Sequence, residues 1–322
     1  MIENRGQWTD LIAGVGIEIG EVFDQGQEEY TPGIGQVLMT TSGTGAQRYV
    51  TGKTGIGRLN RFDEGDDLSL GNRTKTYTTK VAYNNYGSGV MVTKNNIMDR
   101  DFSAQLDEMK DLSVAANFSQ DESGMQIFNG GFATTEEVNG YKLNMYGDGV
   151  PTFSTVHPST KPGVSTQSNA SSTSIALSVD SVETADIALI EQKTDDALPM
   201  AKSGKATLVV PPALRRTAME IGESEKNPED ANNAINVYKG TYDVAESTFL
   251  AATNSGSDTA WFMVVPGRAK LVHEVRQAPV LESDVSILNK NVTYTVDARW
   301  ANGILDWRRT YGSQGDLSAY SS

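Results

Sequence analysis

The spacing of apolar residues predicts one long helix in the first half of the chain. Apolar side chains recur at three- and four-residue intervals, at Phe102, Leu106, Met109, Leu112 and Ala116. Such spacing places them on one face of an amphipathic helix. We expect the helix to begin at an Asp99 cap and to end near Phe128, before Gly130 and Gly131. Its length would be about 45 Å at 1.5 Å per residue. We call it the spine helix.

Two continuously apolar runs, residues 206–210 (ATLVV) and 259–265 (TAWFMVV), predict strands that are buried on both faces. Helical patterns lie on either side of the first run, over residues 181–197 and 213–221. Strand and helix therefore alternate here, which predicts a compact α/β unit.

Residues 1–49 contain nine glycines and only short apolar patches. Glycine at this density makes the ordering of a chain entropically costly. We therefore expect an extended arm that gains its order from the surface it lies against.

Residues 49–93 are rich in Tyr, Thr and Val, which favour strands. Within them, residues 73–83 (RTKTYTTKVAY) would be polar on both faces of a strand. Residues 61–72 (RFDEGDDLSLGN) contain four acids and two glycines, as a turn does. The pattern predicts a long hairpin that projects from the body. It would need a partner surface, because an isolated hairpin is only marginally stable.

Two further segments complete the fold prediction. Residues 151–180 are rich in Ser, Thr and Pro, which predicts a surface loop. Residues 292–300 and 304–310 have strand character and flank an Ala-Asn-Gly sequence at 301–303. An Asn-Gly pair readily adopts positive φ, so this sequence predicts a hairpin turn. Together the patterns indicate an α+β fold.

The formal net charge of −14 argues against a general nucleic-acid or anionic-membrane binder, because like charges repel. The chain has no cysteine, which leaves no disulfide or thiolate chemistry. The N-terminal sequence lacks the features of a signal peptide, and no apolar run is long enough to cross a bilayer. We therefore expect a soluble protein made inside the cell.

The two histidines, His157 and His273, are the main candidates for catalysis. Neither has a second His, a Cys or a close acidic pair at ligand spacing. We expect structural or surface roles for both, and we predict no catalytic residue, no cofactor and no metal. An enzyme that uses one of them is an alternative, which loss of activity on its replacement would support.

The charged residues of the predicted hairpin form the candidate functional site. They carry both signs and are Arg61, Asp63, Glu64, Asp66, Asp67, Arg73 and Lys75. One interpretation is a solvated charged tip, since exposed ion pairs contribute little. The other is docking onto another subunit, where charge pairs set register more than affinity.

The order of these parts resembles the tailed-phage major capsid proteins of the Hong Kong 97 type, including the Mu-like group. Three stretches look like ones that recur in those proteins: residues 153–163 (FSTVHPSTKPG), 207–221 (TLVVPPALRRTAMEI) and 261–265 (WFMVV). The resemblance covers nearly the whole chain. It implies a structural, non-enzymatic protein that self-assembles into the icosahedral shell enclosing phage DNA.

The resemblance also implies a division of the chain. Residues 1–49 would form an N-terminal arm, and residues 50–94 an extended β-hairpin loop. Residues 95–177 and 276–322 would form a peripheral domain that contains the spine helix, and residues 178–275 an axial α/β domain. The seven charged residues would be inter-subunit contacts on the extended loop.

The implied partners are copies of the chain itself, in pentamers and hexamers of the virion capsid. Assembly would take place in the host bacterial cytoplasm. No long charged helical segment precedes the arm, so we expect either a separate scaffold or a product that has already been trimmed. A portal and decoration proteins would be further partners. Packaged DNA would be enclosed without specific binding, and no membrane would be involved.

Two other functions fit part of the pattern. The first is an encapsulin-like nanocompartment shell, which would hold an enzyme instead of DNA. The second is an acidic, Ser/Thr-rich binding module such as a tail or surface adhesin, which would stay a monomer or a small oligomer.

Overall fold

The computed structural model describes residues 5–65, 67–68, 70–200, 204–226 and 235–320. Its helices are α1 (Arg5–Glu29), α2 (Lys94–Asp99), α3 (Ser103–Asn129), α4 (Val179–Glu191) and α5 (Arg215–Glu223). Its strands are β1 (Met39–Ser42), β2 (Gln47–Lys53), β3 (Lys75–Ala82), β4 (Asn84–Val92), β5 (Glu137–Val138), β6 (Tyr141–Asn144), β7 (Ala206–Val210), β8 (Tyr242–Glu246), β9 (Trp261–Val264), β10 (Lys270–Val285), β11 (Val292–Asp306) and β12 (Thr310–Ser313).

Two sheets form the body of the fold. The larger sheet has the strand order β1-β10-β11-β6-β5, and β4 also pairs with β11. The smaller sheet has the order β12-β9-β7-β8, in which β7 and β8 are parallel. Strands β2 and β3 form a separate two-stranded hairpin. The predicted α+β class is confirmed.

Helix α3 packs against the larger sheet and confirms the predicted long helix. Its 27 residues span about 40 Å at 1.5 Å per residue. Trp300 on β11 donates from Nε1 to Ser123 Oγ on α3 (2.9 Å). The predicted cap is wrong, because Asp99 ends the short helix α2. Arg100 follows in a left-handed conformation (φ 54°) that separates α2 from α3.

Residues 5–29 form helix α1, so the expectation of an extended arm is wrong for this part of residues 1–49. Val15, Ile19 and Phe23 repeat at four-residue intervals, and all three are buried in a cluster with residues of α3 and the larger sheet. Burial of this stripe outweighs the low helix propensity of the glycines between them.

Helix α1 lies close to α3 at Gly26. A Cβ at Gly26 would lie 2.7 Å from Ser113 Cβ, so a larger residue would push the two helices apart. Ser113 Oγ donates to Phe23 O (2.6 Å), and Asn117 Nδ2 donates to Tyr30 O (2.9 Å). Asn117 Nδ2 also donates to Gln27 O (3.0 Å), one of the last four carbonyl groups of α1, which have no donor within the helix.

Strands β7 and β9 confirm the two predicted buried strands, and every residue in both is buried. Helix α4 packs Val182 and Leu189 against this sheet. Ser178 caps α4, since its hydroxyl accepts a hydrogen bond from Ser181 N (3.1 Å). Helix α4 ends at Glu191, before the predicted end at residue 197.

The predicted hairpin at residues 301–303 is wrong, because β11 runs unbroken through them. Asn302 pairs with His273 of β10 on one side and with Leu143 of β6 on the other. The turn that joins β10 to β11 lies instead between Val285 and Val292. Pairing on both edges of β11 outweighs the local turn tendency of Asn-Gly.

The predicted surface loop at residues 151–180 is irregular up to α4, but part of it is buried. Phe153 is fully buried and lies against the rings of Phe128 and Phe262. Asn169 Nδ2 donates to Thr152 O (2.8 Å), and Asn169 Oδ1 accepts from Ser154 N (2.8 Å). The segment therefore supplies its own hydrogen-bond partners, which permits polar residues to be buried.

Candidate interaction surface on the β2–β3 hairpin

The hairpin ends in a long loop. Strands β2 and β3 pair antiparallel along their lengths, and the Thr54 amide continues the pairing by donating to Thr74 O (2.9 Å). Residues 55–73, here called the tip loop, connect the two strands. In its described part the tip loop has no helix or strand, and its residues other than Gly57 are exposed.

One face of β3 packs on the body. Thr79 and Val81 are buried, and the Tyr77 ring meets the Tyr146 ring edge-on, with the centroids 5.7 Å apart. The expectation of a strand with two polar faces that stands clear of the body is therefore wrong for β3. The exposed part of the hairpin is mainly the tip loop.

The structure leaves the described members of the candidate charged set in solvent. Arg61 Nη2 lies 3.1 Å from Asp63 Oδ1, and these side chains are 90% and 77% exposed, so the pair contributes little to folding. Glu64, Asp67, Arg73 and Lys75 are also exposed, and Lys75 is the first residue of β3. Asp66 lies outside the described residues. At such exposure, these charges are expected to contribute little to the stability of the subunit.

The tip loop also exposes apolar side chains, which the sequence prediction missed. Leu59 is 99% exposed and Leu70 is 90% exposed. The other members of this group are Ile56, Phe62 and Leu68. Exposed apolar side chains grouped in one segment typically mark an interaction site. In the sequence these residues are interspersed among the charges of residues 56–70, but their spacing does not indicate that they are exposed.

A second exposed apolar pair lies in the turn between β10 and β11. Ile287 and Leu288 are almost fully exposed there. The turn is held by main-chain bonds from Lys290 N to Ser286 O (2.9 Å) and from Ser286 N to Asn291 O (2.9 Å). The ordered turn therefore presents both side chains to solvent.

Both histidines are buried. His157 stacks on Trp307, with ring centroids 4.0 Å apart, and its Nδ1 lies 2.8 Å from Asp148 Oδ2 and its Nε2 3.0 Å from Asn169 Oδ1. His273 lies on β10 between β1 and β11 rather than on an edge strand, and its Nδ1 is 2.7 Å from Asn302 Oδ1. Both side chains therefore contribute to packing.

The electrostatics of His273 agree with a packing role. Burial lowers the pKa of His273, against smaller raising effects of Asn302 and Asp121. An imidazole without solvent access is poorly placed to exchange protons with a substrate. Across the part of the chain that the structure describes, no helix is long and apolar enough to cross a membrane.

Comparisons with known proteins identify the family. The model of the phage capsid protein family matches residues 76–312, about three quarters of the chain. No curated protein has a significant sequence match to the chain.

Solved structures share the fold at low sequence identity. The capsid of the native GTA particle has a TM-score of 0.54 and 11% identity, with 88% of this chain and 90% of that chain covered. The capsid of Myoviridae phage XM1 has a TM-score of 0.51 and 12% identity, with coverages of 87% and 89%. The capsid of bacteriophage JBD30 decorated with minor capsid protein trimers has a TM-score of 0.51 and 15% identity, with coverages of 69% and 92%.

The family match and the fold agree with each other. Both histidines are buried in packing contacts, and among the described residues the tip loop carries a group of exposed apolar side chains. The chain belongs to the phage capsid protein family, with a Hong Kong 97-type fold, and it is a structural shell protein, not an enzyme.

Proposed function

We propose that this shell protein assembles with copies of itself, as pentamers and hexamers, into an icosahedral phage head, and that the tip loop is a contact between neighbouring subunits. The observation that carries the proposal is the exposure of five apolar side chains in a loop of a protein from a shell-forming family. Leu59 and Leu70 alone leave almost their whole side chains in water. A lattice neighbour would cover them.

The apolar and charged residues of the tip loop have different roles in this proposal. Burial of one Leu, Ile or Phe side chain contributes about 1.5–3 kcal/mol to the free energy of association. The loss of translational and rotational freedom on association opposes this gain. Each contact is therefore weak and reversible, and closure of the shell combines many of them. Arg61, Asp63, Glu64, Asp66, Asp67, Arg73 and Lys75 would set the register between neighbours.

The division of the chain into arm, loop and two domains belongs to the same proposal. Strands β7, β8 and β9 and helices α4 and α5 all fall within residues 178–275, the proposed axial domain. Helix α3 and most of the β10–β11 pair fall in the proposed peripheral domain. Strand β4 lies inside residues 50–94 yet pairs with β11, so the freely exposed part of the extended loop is shorter than that range.

The other partners are inferred from the role of a head shell. A separate scaffold would guide assembly in the host bacterial cytoplasm, a portal would occupy one vertex, and decoration proteins would bind the outer surface. The net charge of −14 suits a container for DNA, because packaged DNA would not adhere to it.

The family match favours a phage head over a nanocompartment shell or an acidic binding module. The test is electron microscopy of the purified chain in low and high salt, followed by analysis of particle contents from its natural source. Closed particles that enclose DNA would support the proposal. Particles filled with an enzyme would support the nanocompartment, and a monomer that binds glycan would support the binding module.

A further inference from the structure

A buried carboxylate joins the hairpin to the larger sheet. Glu274 lies on β10, between β1 and β11, and its side chain has no solvent exposure. Its Oε2 accepts a hydrogen bond from Tyr83 OH (2.8 Å), and its Oε1 lies 3.0 Å from Arg48 Nη2. Arg48 is on β2, and Tyr83 separates β3 from β4. The Glu274 side chain therefore contacts both sides of the hairpin at its base, where the hairpin joins the body.

The two contacts differ in kind. The Tyr83 contact is a directed hydrogen bond to a charged group, which is stronger than a bond between neutral groups. The Arg48 contact is an ion pair that does not meet the geometry of a hydrogen bond. Among the described residues, no donor forms a hydrogen bond to Glu274 Oε1. Burial, followed by the bond to Glu274, raises the pKa of Tyr83. The phenol therefore stays protonated and remains a donor.

Close packing around Tyr83 limits its movement. A Cβ at Gly43 would lie 2.6 Å from the Tyr83 ring, so glycine is required for this contact. The Gly43 amide donates to Val275 O (2.8 Å), and the Arg299 guanidinium lies over the ring, 5.9 Å from its centroid. The Ala82 amide donates to Asn144 Oδ1 (2.8 Å). The chain is thus hydrogen-bonded to the larger sheet at both ends of the hairpin, at Gly43 before β2 and at Ala82 at the end of β3.

From this geometry we infer that Arg48, Tyr83 and Glu274 form a clamp that sets the direction of the hairpin relative to the larger sheet, and through it the angle between neighbouring subunits. These are positioning residues, because they act through the hairpin rather than by touching a neighbour. The inference about the angle rests on the proposed function. The inference about the direction of the hairpin concerns the single subunit and does not depend on assembly.

The clamp can be tested by hydrogen exchange on the unassembled full-length chain. Tyr83→Phe removes the hydroxyl and keeps the ring against Gly43, and Arg48→Met removes the charge and keeps the stem. Loss of a hydrogen bond to a buried charged group should accelerate exchange of the Gly43 and Ala82 amides roughly tenfold or more. The Thr54 amide, which is bonded within the hairpin to Thr74 O, should exchange as in the wild type, because the hairpin moves as a unit.

The chain offers a matched control. Tyr141 OH donates to Glu122 Oε2 (2.9 Å) away from the base of the hairpin. Tyr141→Phe therefore removes the same kind of bond and should leave the Gly43 and Ala82 amides unchanged. Wild-type exchange at these amides in Tyr83→Phe would overturn the clamp. Equal acceleration across the whole chain would overturn it too, because that result indicates general destabilisation.

Particle geometry tests the consequence for assembly. Tyr83→Phe and Arg48→Met should give particles with a wider spread of diameters than the wild type or Tyr141→Phe, as measured by electron microscopy. Particles of wild-type diameter from both variants would overturn the inferred control of the angle between subunits. If the unmodified chain forms no particles, the proposed function fails, and the exchange experiment still decides the clamp.

Discussion

Replacement of the two most exposed leucines of the tip loop should block assembly without affecting the subunit fold. Leu59 and Leu70 are 99% and 90% exposed in the subunit, so neither contributes appreciably to its core. Leu59→Asn combined with Leu70→Asn should change the free energy of unfolding by no more than about 0.5 kcal/mol. If a neighbour covers both side chains, the same change removes about 3–6 kcal/mol from each contact.

The expected effect on assembly is large. A loss of about 3 kcal/mol lowers an association constant roughly a hundredfold, and the loss recurs at every equivalent contact of a symmetric shell. The concentration at which particles first appear, measured by light scattering, should therefore rise at least that much. Urea unfolding of the unassembled variant should give the wild-type midpoint.

A matched pair of single variants separates the tip loop from exposed apolar surface in general. Leu68 and Leu317 are 67% and 68% exposed, but only Leu68 lies in the tip loop. Leu68→Asn should raise the assembly concentration, and Leu317→Asn should not. A double variant that assembles at the wild-type concentration would refute the reasoning, as would equal losses in the two single variants.

Four further predictions concern charge, capping and pH. Charge reversal by Glu64→Lys with Asp67→Lys should lower the particle yield in electron micrographs and leave the urea midpoint unchanged; an unchanged yield would argue against a contact role for the tip charges. Added NaCl should lower the assembly concentration of the wild type, because it screens the repulsion between subunits of charge −14. Ser178→Ala should lower the free energy of unfolding by about 1 kcal/mol, measured with urea, because α4 loses its cap. Burial lowers the pKa of His273, so the unfolded chain binds this proton before the folded chain does as the pH falls below 6.5, and the free energy of unfolding should decrease there. His273→Gln should weaken that decrease, measured by urea titrations at several pH values. An unaltered pH dependence would contradict the assignment.

The elements that the sequence predicted correctly are those with a strong local pattern. Helix α3 has a regular apolar stripe over several turns, and β7 and β9 are uninterrupted apolar runs. In each case the local preference and the tertiary environment agree. Elements for which the two agree can be predicted from the sequence.

The errors occur where tertiary contacts oppose the local preference. The Asn-Gly pair at 302–303 favours a turn, but both edges of β11 are paired there and the Asn302 side chain bonds to His273. In α1, the glycines suggested an extended arm. The stripe of Val15, Ile19 and Phe23 is nevertheless buried against α3, and sequence alone does not reveal that surface.

The sequence prediction of an interaction site on the tip loop named only its charged residues and overlooked its apolar ones. The apolar residues of the tip loop follow no single helical or strand period; they are Ile56, Leu59, Phe62, Leu68 and Leu70. Without a period, a sequence gives no sign of whether an apolar side chain turns inward or outward. Their exposure is a property of the tertiary structure, in which the body leaves the tip loop uncovered.

The two kinds of residue in the tip loop act over different distances. Repulsion between subunits extends over about 8 Å at physiological ionic strength, whereas apolar side chains attract only when they exclude water between them. The tip loop carries three arginines and four acids, a net charge of −1 out of −14 for the chain. A neighbour that reaches this loop would therefore meet apolar surface with little local repulsion, whereas most of the net charge lies elsewhere in the chain. In the proposed assembly, this difference would favour contact through the tip loop over less specific association between subunits.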